Sequence, residues 1–225
     1  MKKMLSLLAF TMLLAPTFAH AASIDFDMVL TFSNNVLPGG PPPWVHVNIN
    51  DATAQAGYDA RVTITTPGLT ASEFISEVSL NLNPALNPLN LQGALVQDTA
   101  SQAFAGGAAG PDAFKADGVG GFFDIIFNFK TNDGNRFTDG MTFVFDLNNS
   151  TGGLLASDFN FGATGSGYFA AAHLQSIGDG SSTWLASNGT SGTPDPRNSP
   201  VPEPASMLLV GTGLLAAFRK RLVRR

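Results

Sequence analysis

Hydrophobic and polar residues alternate along much of the chain, a pattern typical of half-buried β-strands. In the first run, Ile24–Phe32, every second residue is apolar. Helical periodicity is nearly absent, and Gly and Pro interrupt the chain at short intervals. We therefore predict an all-β fold, a single antiparallel β-sandwich of jelly-roll type. Further strands are predicted at residues 44–49, 60–66, 78–82, 89–96, 159–161, 168–177 and 183–186.

The clearest pair of strands lies in the middle of the chain. Phe123–Phe129 and Met141–Leu147 each place four apolar residues on one face. The segment between them, residues 131–140, contains Asp-Gly and Asn-rich steps that suit tight turns. We predict a hairpin here. Asp124 and Asp146 could face each other across it as the two carboxylates that a glycosidase needs, but we interpret them as solvated charges on the strand faces.

One short stretch occurs twice. Gly68–Phe74 and Gly153–Phe159 are identical at five of seven positions, and a sixth position exchanges Glu for Asp. We interpret both as one-turn helical corners that place a Leu and a Phe in the core. Ser72 and Ser157 are candidate caps of the two turns. Two such corners indicate similar connections in the two halves of a sandwich, although chance similarity between short segments is the alternative.

The N-terminus has the features of a secretory signal peptide. Lys2 and Lys3 precede an apolar run, and Ala19 and Ala21 form a small-x-small cleavage site. We predict that residues 1–21 are removed after Ala21 and that the chain is exported.

Three physically different segments follow one another at the C-terminal end. Val201-Pro202-Glu203-Pro204 is stiff and extended, because proline fixes φ and excludes helix. Residues 205–218 carry no charge, but 14 residues are short for a membrane-spanning helix, which needs roughly 20. We predict a transient inner-membrane helix; a buried core helix and a permanent anchor are the alternatives. The basic residues behind it, expected to stay in the cytoplasm, are Arg219, Lys220, Arg221, Arg224 and Arg225.

Residues 201–225 resemble the PEP-CTERM sorting signal of Gram-negative bacteria, since the Pro-Glu-Pro motif, apolar helix and basic tail occur in the same order. The resemblance implies an exosortase, a membrane-embedded transpeptidase-like enzyme, as partner. It also implies passage through the inner membrane and delivery to the outer surface or an exopolysaccharide matrix. We divide the chain into a signal peptide (1–21), a β-sandwich domain (22–191), a Pro-rich linker (192–200) and the sorting signal (201–225).

The exported part, residues 22–200, is strongly acidic. It contains five Lys or Arg and 16 Asp or Glu, a formal net charge of −11. Such a surface repels phosphate groups, which argues against nucleic acid as a partner. The chain has no Cys, which excludes thiolate nucleophiles and cysteine zinc sites.

The residues that could carry catalysis form no recognisable motif. His46 and His173 are expected to be ordinary strand residues. Ser166 lies in Gly-Ser-Gly, which is not the G-x-S-x-G motif of a nucleophile elbow. Glu73 and Glu77, the only two Glu of the exported part, are expected to be exposed. We therefore predict a non-enzymatic structural or adhesive protein without a resident cofactor, with a secreted polysaccharide hydrolase as the alternative.

Two ligand sites are weighed against simpler interpretations. Hard oxygen donors in the loop between the two central strands suggest calcium, although a plain turn explains the same residues; these donors are Asn132, Asp133, Asn135 and Asp139. Exposed aromatic rings would allow stacking on sugars, with exopolysaccharide as the partner; the candidates are Trp44, Tyr58, Tyr168 and Trp184. Ice binding would need a flat array of Thr, and only Thr63-Ile64-Thr65 resembles one.

Overall fold

The computed structural model describes residues 23–32, 36–70, 72–187 and 189, which form two antiparallel sheets. Strands are numbered along the chain. The first sheet has the spatial order β1 (Ser23–Met28), β3 (Val45–Asn50), β4 (Ala60–Thr65), β10 (Thr142–Asn149) and β6 (Leu91–Val96). The second sheet has the order β2 (Leu30–Phe32), β12 (Ser181–Ser187), β11 (Ala170–Ile177), β5 (Phe74–Leu80), β8 (Gly121–Phe129) and β7 (Phe104–Ala116), and β9 (Phe137–Thr138) pairs with β5.

The predicted all-β, antiparallel fold is confirmed. Short 3-10 turns at Pro88–Asn90, Ser101–Ala103 and Ala156–Phe159 are the helical elements of the described residues. Among those residues, none belongs to a helix with the length and apolarity that crossing a bilayer requires.

The core lies between the two sheets and follows from the alternating sequence. In β1, β3 and β4, alternate side chains are buried, and the intervening polar residues face outward. Opposite them, Phe123, Ile125, Phe127 and Phe129 of β8 are at most 4% exposed. Burying one large apolar side chain contributes roughly 1.5–3 kcal/mol to the free energy of folding. A core of this kind can therefore stabilise the domain without disulfide bonds.

The predicted central hairpin is wrong. Strand β8 bonds to β5 and β7 in the second sheet, whereas β10 bonds to β4 and β6 in the first. The chain therefore crosses from the second sheet to the first between β9 and β10. Both strands face the same core from opposite sides, so their apolar periodicity identifies the buried face but not the pairing partner. For the same reason Asp124 and Asp146 are not cross-strand partners.

Two other strand predictions need correction. The alternating run Ile24–Phe32 is two strands, because Val29 separates β1 in the first sheet from β2 in the second. Residues 159–161 are not a strand, since Phe159 ends a 3-10 turn. Strand β7 was not predicted at all: its sequence, FAGGAAGPDAFKA, is rich in Gly and Ala and lacks an alternating pattern of large residues.

The repeated segments both connect the two sheets, as predicted, but only the second contains the expected helical turn, at Ala156–Phe159; the described residues of the first form a plain turn. The segment Gly68–Phe74 joins β4 of the first sheet to β5 of the second, and Gly153–Phe159 lies between β10 and β11. Because β4 pairs antiparallel with β10, and β5 with β11, the two connections lie at opposite ends of the sandwich. Each places its Leu and its Phe in the core, at no more than 5% exposure.

Candidate functional site

A cleft of about 300 Å³ lies where β5 ends, beside the outer part of β7. Its walls come from four separate parts of the second sheet and its loops. They are the segment that follows β5, a bulge in β7, the β8 residue Asp124, and a loop before β11. We call it the Asp124 cleft. Its lining residues are Asn81, Leu82, Asn83, Pro84, Leu86, Pro88, Pro111, Asp112, Asp124, Phe161, Gly162 and Thr164.

The carboxylate of Asp124 holds two of these walls together. One oxygen accepts the backbone N–H of Leu82 at 3.0 Å, and the other accepts the backbone N–H of Asp112 at 2.9 Å. Bonds from N–H groups to a carboxylate are stronger than those between neutral groups. The two oxygens of Asp124 therefore hold the segment after β5 and the bulge of β7 in place around the cleft.

Asp112 has an unusual backbone conformation. It lies in the bulge of β7, between Ala109 and Phe114, and its φ is 49°. Asp tolerates this left-handed region better than most residues, but the conformation still costs free energy. The bond to Asp124 stabilises this conformation, so the backbone that carries the Asp112 side chain is held in place at the cleft.

Two polar side chains remain available for a ligand. In the described part of the chain, neither the carboxylate of Asp112 nor the hydroxyl of Thr164 has a hydrogen-bond partner, and both residues are exposed. Thr164 is positioned by a backbone bond, since its carbonyl accepts the N–H of Phe122 at 3.0 Å. A carboxylate and a hydroxyl on fixed backbones are well suited to bind the hydroxyl groups of a ligand.

The opposite wall of the cleft is apolar, and hydrogen bonds to the second of the two repeated segments, Gly153–Phe159, hold it in place. Phe161, Pro84, Pro111 and Leu86 contribute ring and aliphatic surface. The neighbouring Asn83 donates its side-chain amide to Asp158 at 3.1 Å, and its backbone N–H bonds to the carbonyl of Asp158. An apolar wall with a few fixed polar groups is the usual composition of a small-molecule site. Both charged residues of the lining are acidic, so the cleft disfavours anionic ligands.

The four residues predicted to stack on sugars are not brought together. Trp44 is only 6% exposed and donates its indole N–H to the carbonyl of Gly40 at 2.8 Å, so its ring face is closed to a sugar. Tyr58 is half-buried in the loop between β3 and β4. Trp184 stacks on His173 with ring centroids 4.8 Å apart.

Tyr168, the fourth of these residues, packs edge-on against Phe32, with ring centroids 5.0 Å apart. It belongs to a small apolar cluster on the second sheet, together with Trp184. Neither ring lines the Asp124 cleft.

The loop predicted to bind calcium is exposed at its centre. Asp133 forms an ion pair with Arg136 at 2.7 Å, which occupies one of the predicted ligand oxygens. Asn132 and Asp139 are exposed, and Asn135 is half-buried. Within the described residues, no group of three or more acidic or His side chains is arranged around a common point for a metal. The calcium site at this loop stays a prediction.

His46 lies between two carboxylates of the neighbouring strand β1. Its Nδ1 is 2.7 Å from Asp27, and its Nε2 is 3.3 Å from Asp25. Both ring nitrogens are thus occupied on the outer face of the first sheet.

His173 pairs with a serine placed by a bulge in β5. Its Nδ1 is 3.1 Å from the hydroxyl of Ser76, which also accepts the side-chain amide of Gln175 at 3.0 Å. Burial lowers the pKa of His173. This network lies outside the Asp124 cleft.

The two glutamates differ from the exposed pair expected. Glu73 is 1% exposed and accepts backbone N–H groups from Gly39 and Thr70, so the expectation of an exposed Glu73 is wrong. Glu77 is half-buried, and burial, assisted by the charge of Asp117, raises its pKa. Burial also raises the pKa of Asp98. Neither Glu77 nor Asp98 lines the Asp124 cleft.

The cleft is not evident from the sequence because its residues lie far apart in the chain. Asp112 and Asp124 are separated by 12 positions, and the segment between them was not recognised as part of a strand pair. The one local signal is Gly110-Pro111-Asp112, a turn-like step that predicts a break in an extended segment.

The predicted sorting residues, Val201, Pro202, Glu203 and Pro204, lie outside the described residues, as do the signal peptide, the 205–218 helix and the basic tail. A model of the PEP-CTERM protein-sorting motif matches residues 200–224, which confirms the resemblance at these positions. No curated protein and no solved structure matches the chain. Residues 200–224 therefore are a PEP-CTERM protein-sorting motif, and this motif implies a protein that is exported and sorted by an exosortase to the cell surface or the extracellular space.

Proposed function

We propose that the exported domain is a non-enzymatic component of the extracellular polysaccharide matrix that binds an uncharged glycan in the Asp124 cleft. The observation that carries this proposal is the pairing of two available polar groups with an apolar wall. Asp112 and Thr164 present an unpaired carboxylate and hydroxyl, and Phe161 provides a ring beside them. A sugar has the matching surfaces, since its hydroxyl groups need donors and acceptors while its C–H faces pack on aromatic rings.

The charge of the site selects among glycans. The lining contains Asp112 and Asp124 but no Lys or Arg. The exported part as a whole carries a formal charge of −11. A polysaccharide with carboxylate or sulfate groups would be repelled, whereas a neutral or amino-bearing sugar would not. The ligand class is therefore an uncharged glycan, with an amino sugar as the charged variant that the site tolerates.

The hydrogen bonds of Asp124 support binding without hydrolysis. A glycosidase needs two carboxyl groups with different roles, one of them a proton donor. Both oxygens of Asp124 already accept backbone N–H groups, so this carboxylate has a structural role in the cleft. The carboxyl groups with raised pKa, Glu77 and Asp98, are not in the cleft lining.

A retention experiment tests the proposal. The exported protein would be passed over immobilised neutral and acidic polysaccharides, and its dissociation constants measured for the polymers that retain it. We expect retention on neutral polymers, with a loss of roughly tenfold in affinity for Asp112→Asn and for Phe161→Ala, since each removes about one good contact. Asp139→Asn is the matched control, because Asp139 is an equally exposed carboxylate outside the cleft.

Three results would contradict the proposal. The first is retention on acidic polymers alone. The second is unchanged affinity in both cleft variants, or a loss caused instead by Trp184→Ala. The third is the appearance of new reducing ends during incubation, which would mean that the protein is a hydrolase.

A further inference from the structure

Each sheet ends in an edge strand, and the two edge strands lie on the same side of the sandwich. Strand β6 is the last strand of the first sheet and bonds to β10 alone among the described strands, and β7 is the last strand of the second sheet and bonds to β8 alone. The backbone groups on the outer side of such strands can pair with another strand. Strand β7 is 13 residues long, which makes it an unusually extended edge.

An apolar cleft of about 440 Å³ opens between these two edges. Leu91 and Leu95 of β6 line one wall, and Phe104 of β7 lines the other. Phe145 and Phe127 form its floor, with ring centroids 5.3 Å apart. The sandwich core is thus reachable from solvent on this side.

The strand segments that border this cleft contain no charged residue. Residues 91–96 and 104–111 contain no Asp, Glu, Lys or Arg, although the exported part has 16 acidic residues. Two copies that approach each other by any acidic face repel one another. Along residues 91–96 and 104–111 no acidic side chain of the strands themselves raises this barrier.

We propose that β7 is the interface between two copies of this chain, which pair antiparallel through residues 106–109, the regular part of the strand between its two register shifts. An antiparallel pair formed by one strand and its own copy is symmetric about a two-fold axis, so both copies satisfy their free backbone groups in the same way. Gly107 and Ala108 are exposed and small, which lets the strand of a second copy approach closely.

The same strand sets the limit of the pairing. Pro111 has no N–H, and the bulge at residues 110–113 turns the strand away from its straight course. The interface therefore ends before Asp112, and the Asp124 cleft of each copy stays accessible.

The first test is self-association of the exported protein, measured by sedimentation velocity over a range of concentrations. Ala108→Lys places a charge inside the interface, and we expect it to raise the dimer dissociation constant by on the order of tenfold or more. The matched control is Ala113→Lys, the same exchange at an exposed position of the same strand beyond Pro111. Thermal unfolding of both variants separates an effect on association from an effect on folding.

A second test uses the absence of Cys in the chain. Single cysteines at Gly107 or Ala108 are expected to form disulfide-linked dimers, most efficiently at the position nearest the two-fold axis, because facing residues of antiparallel strands have Cα atoms about 4.5–5.5 Å apart. Ala113→Cys is expected to remain monomeric under the same oxidation.

The proposal is overturned if the protein sediments as a monomer at every concentration. It is also overturned if Ala113→Lys weakens association as much as Ala108→Lys does. Native mass spectrometry that finds a bound apolar small molecule on each monomer would assign the cleft to that ligand instead.

Discussion

The two corners share most of their sequence but are held by different arrangements of charge. At the first corner one carboxylate, that of Glu73, accepts the N–H of Thr70 at 2.7 Å and the N–H of Gly39 at 2.8 Å. At the second, three consecutive N–H groups each have their own carboxylate. Leu154 donates to Asp59 at 3.2 Å, Leu155 to Asp158 at 2.9 Å, and Ala156 to Asp51 at 3.3 Å.

This difference follows from the surroundings of each corner. Glu73 is buried and has one methylene more than Asp, which lets it reach a second loop. Asp158 is shorter and half-buried, and two aspartates of the loop between β3 and β4 complete the set. Among the described residues, the carboxylate of Glu73 alone accepts the N–H groups at the first corner, whereas three carboxylates do so at the second. The second corner also bonds to Asn83 of the Asp124 cleft.

The largest expected effect concerns the ion pair that anchors the loop carrying Asp51 and Asp59. Asp146 is fully buried and bonds to Arg61 at 2.7 Å and to the N–H of Gln55. Arg61→Gln leaves a buried charge without its partner, and we expect a loss of about 3 kcal/mol in the free energy of unfolding at neutral pH. Chemical denaturation of both proteins measures it.

The pH dependence of this loss sharpens the same prediction. Burial acts to raise the pKa of Asp146, but the bonds from Arg61 and Gln55 outweigh it, and the pKa lies below its ordinary value. The stability from this pair is present above about pH 4 and disappears as the pH falls through the lowered pKa. The two proteins should therefore converge in stability in acid. A constant difference between pH 7 and pH 2 would contradict this account.

The next effect compares the corner carboxylates directly. We expect Glu73→Gln to cost about 2 kcal/mol, because two charge-assisted bonds in a buried site are weakened and no other carboxylate replaces them. Thermal and urea unfolding give the value. A cost below that of Asp158→Asn would reverse the comparison between the corners.

A smaller effect is expected at the second corner, where three carboxylates each accept one of the backbone N–H groups. We expect Asp158→Asn and Asp59→Asn each to cost about 1 kcal/mol, since each carboxylate serves only part of the second corner. Because Asp158 also positions Asn83, its variant should in addition lower glycan affinity by about twofold, while Asp59→Asn should not. Equal affinities in the two variants would disconnect the corner from the cleft.

The smallest effect concerns the serines that the sequence suggested as caps. In the described part of the chain, the side chains of Ser72 and Ser157 make no hydrogen bond, and the carboxylates cap the turns instead. The expected serine caps are therefore wrong. Ser72→Ala and Ser157→Ala should each change the free energy of unfolding by less than about 0.5 kcal/mol. A larger loss at either position would restore the serine to a capping role.

The sequence predicts which residues are buried better than it predicts which strands pair. Alternation identifies the inner faces of β3, β4 and β8, because side-chain direction is a local property of a strand. It does not predict that β8 and β10 lie in different sheets, since pairing depends on the path of the whole chain. Strand β7 was missed because its pairing with β8, rather than large apolar side chains, makes it a strand.

The candidate site could not be derived from the sequence for a related reason. Its key bond joins Asp124 to the N–H of Asp112 across a bulge, and the bulge exists only once β7 and β8 are paired. By contrast, the sorting motif was identified from sequence alone, because a contiguous signal is carried by neighbouring residues. A motif of neighbouring residues can be recognised in the sequence, whereas a cleft formed by four separate segments can be recognised only in the folded structure.

The position of β12 has a mechanical consequence. It is the last strand of the described residues, the sorting motif follows it along the chain, and it lies between β2 and β11. A force applied to the chain beyond β12, directed along the strand, would load the bonds to both neighbours at once, in shear, whereas a strand at the edge of a sheet can be peeled away bond by bond. We therefore expect β12 to resist such a force more strongly than an edge strand would.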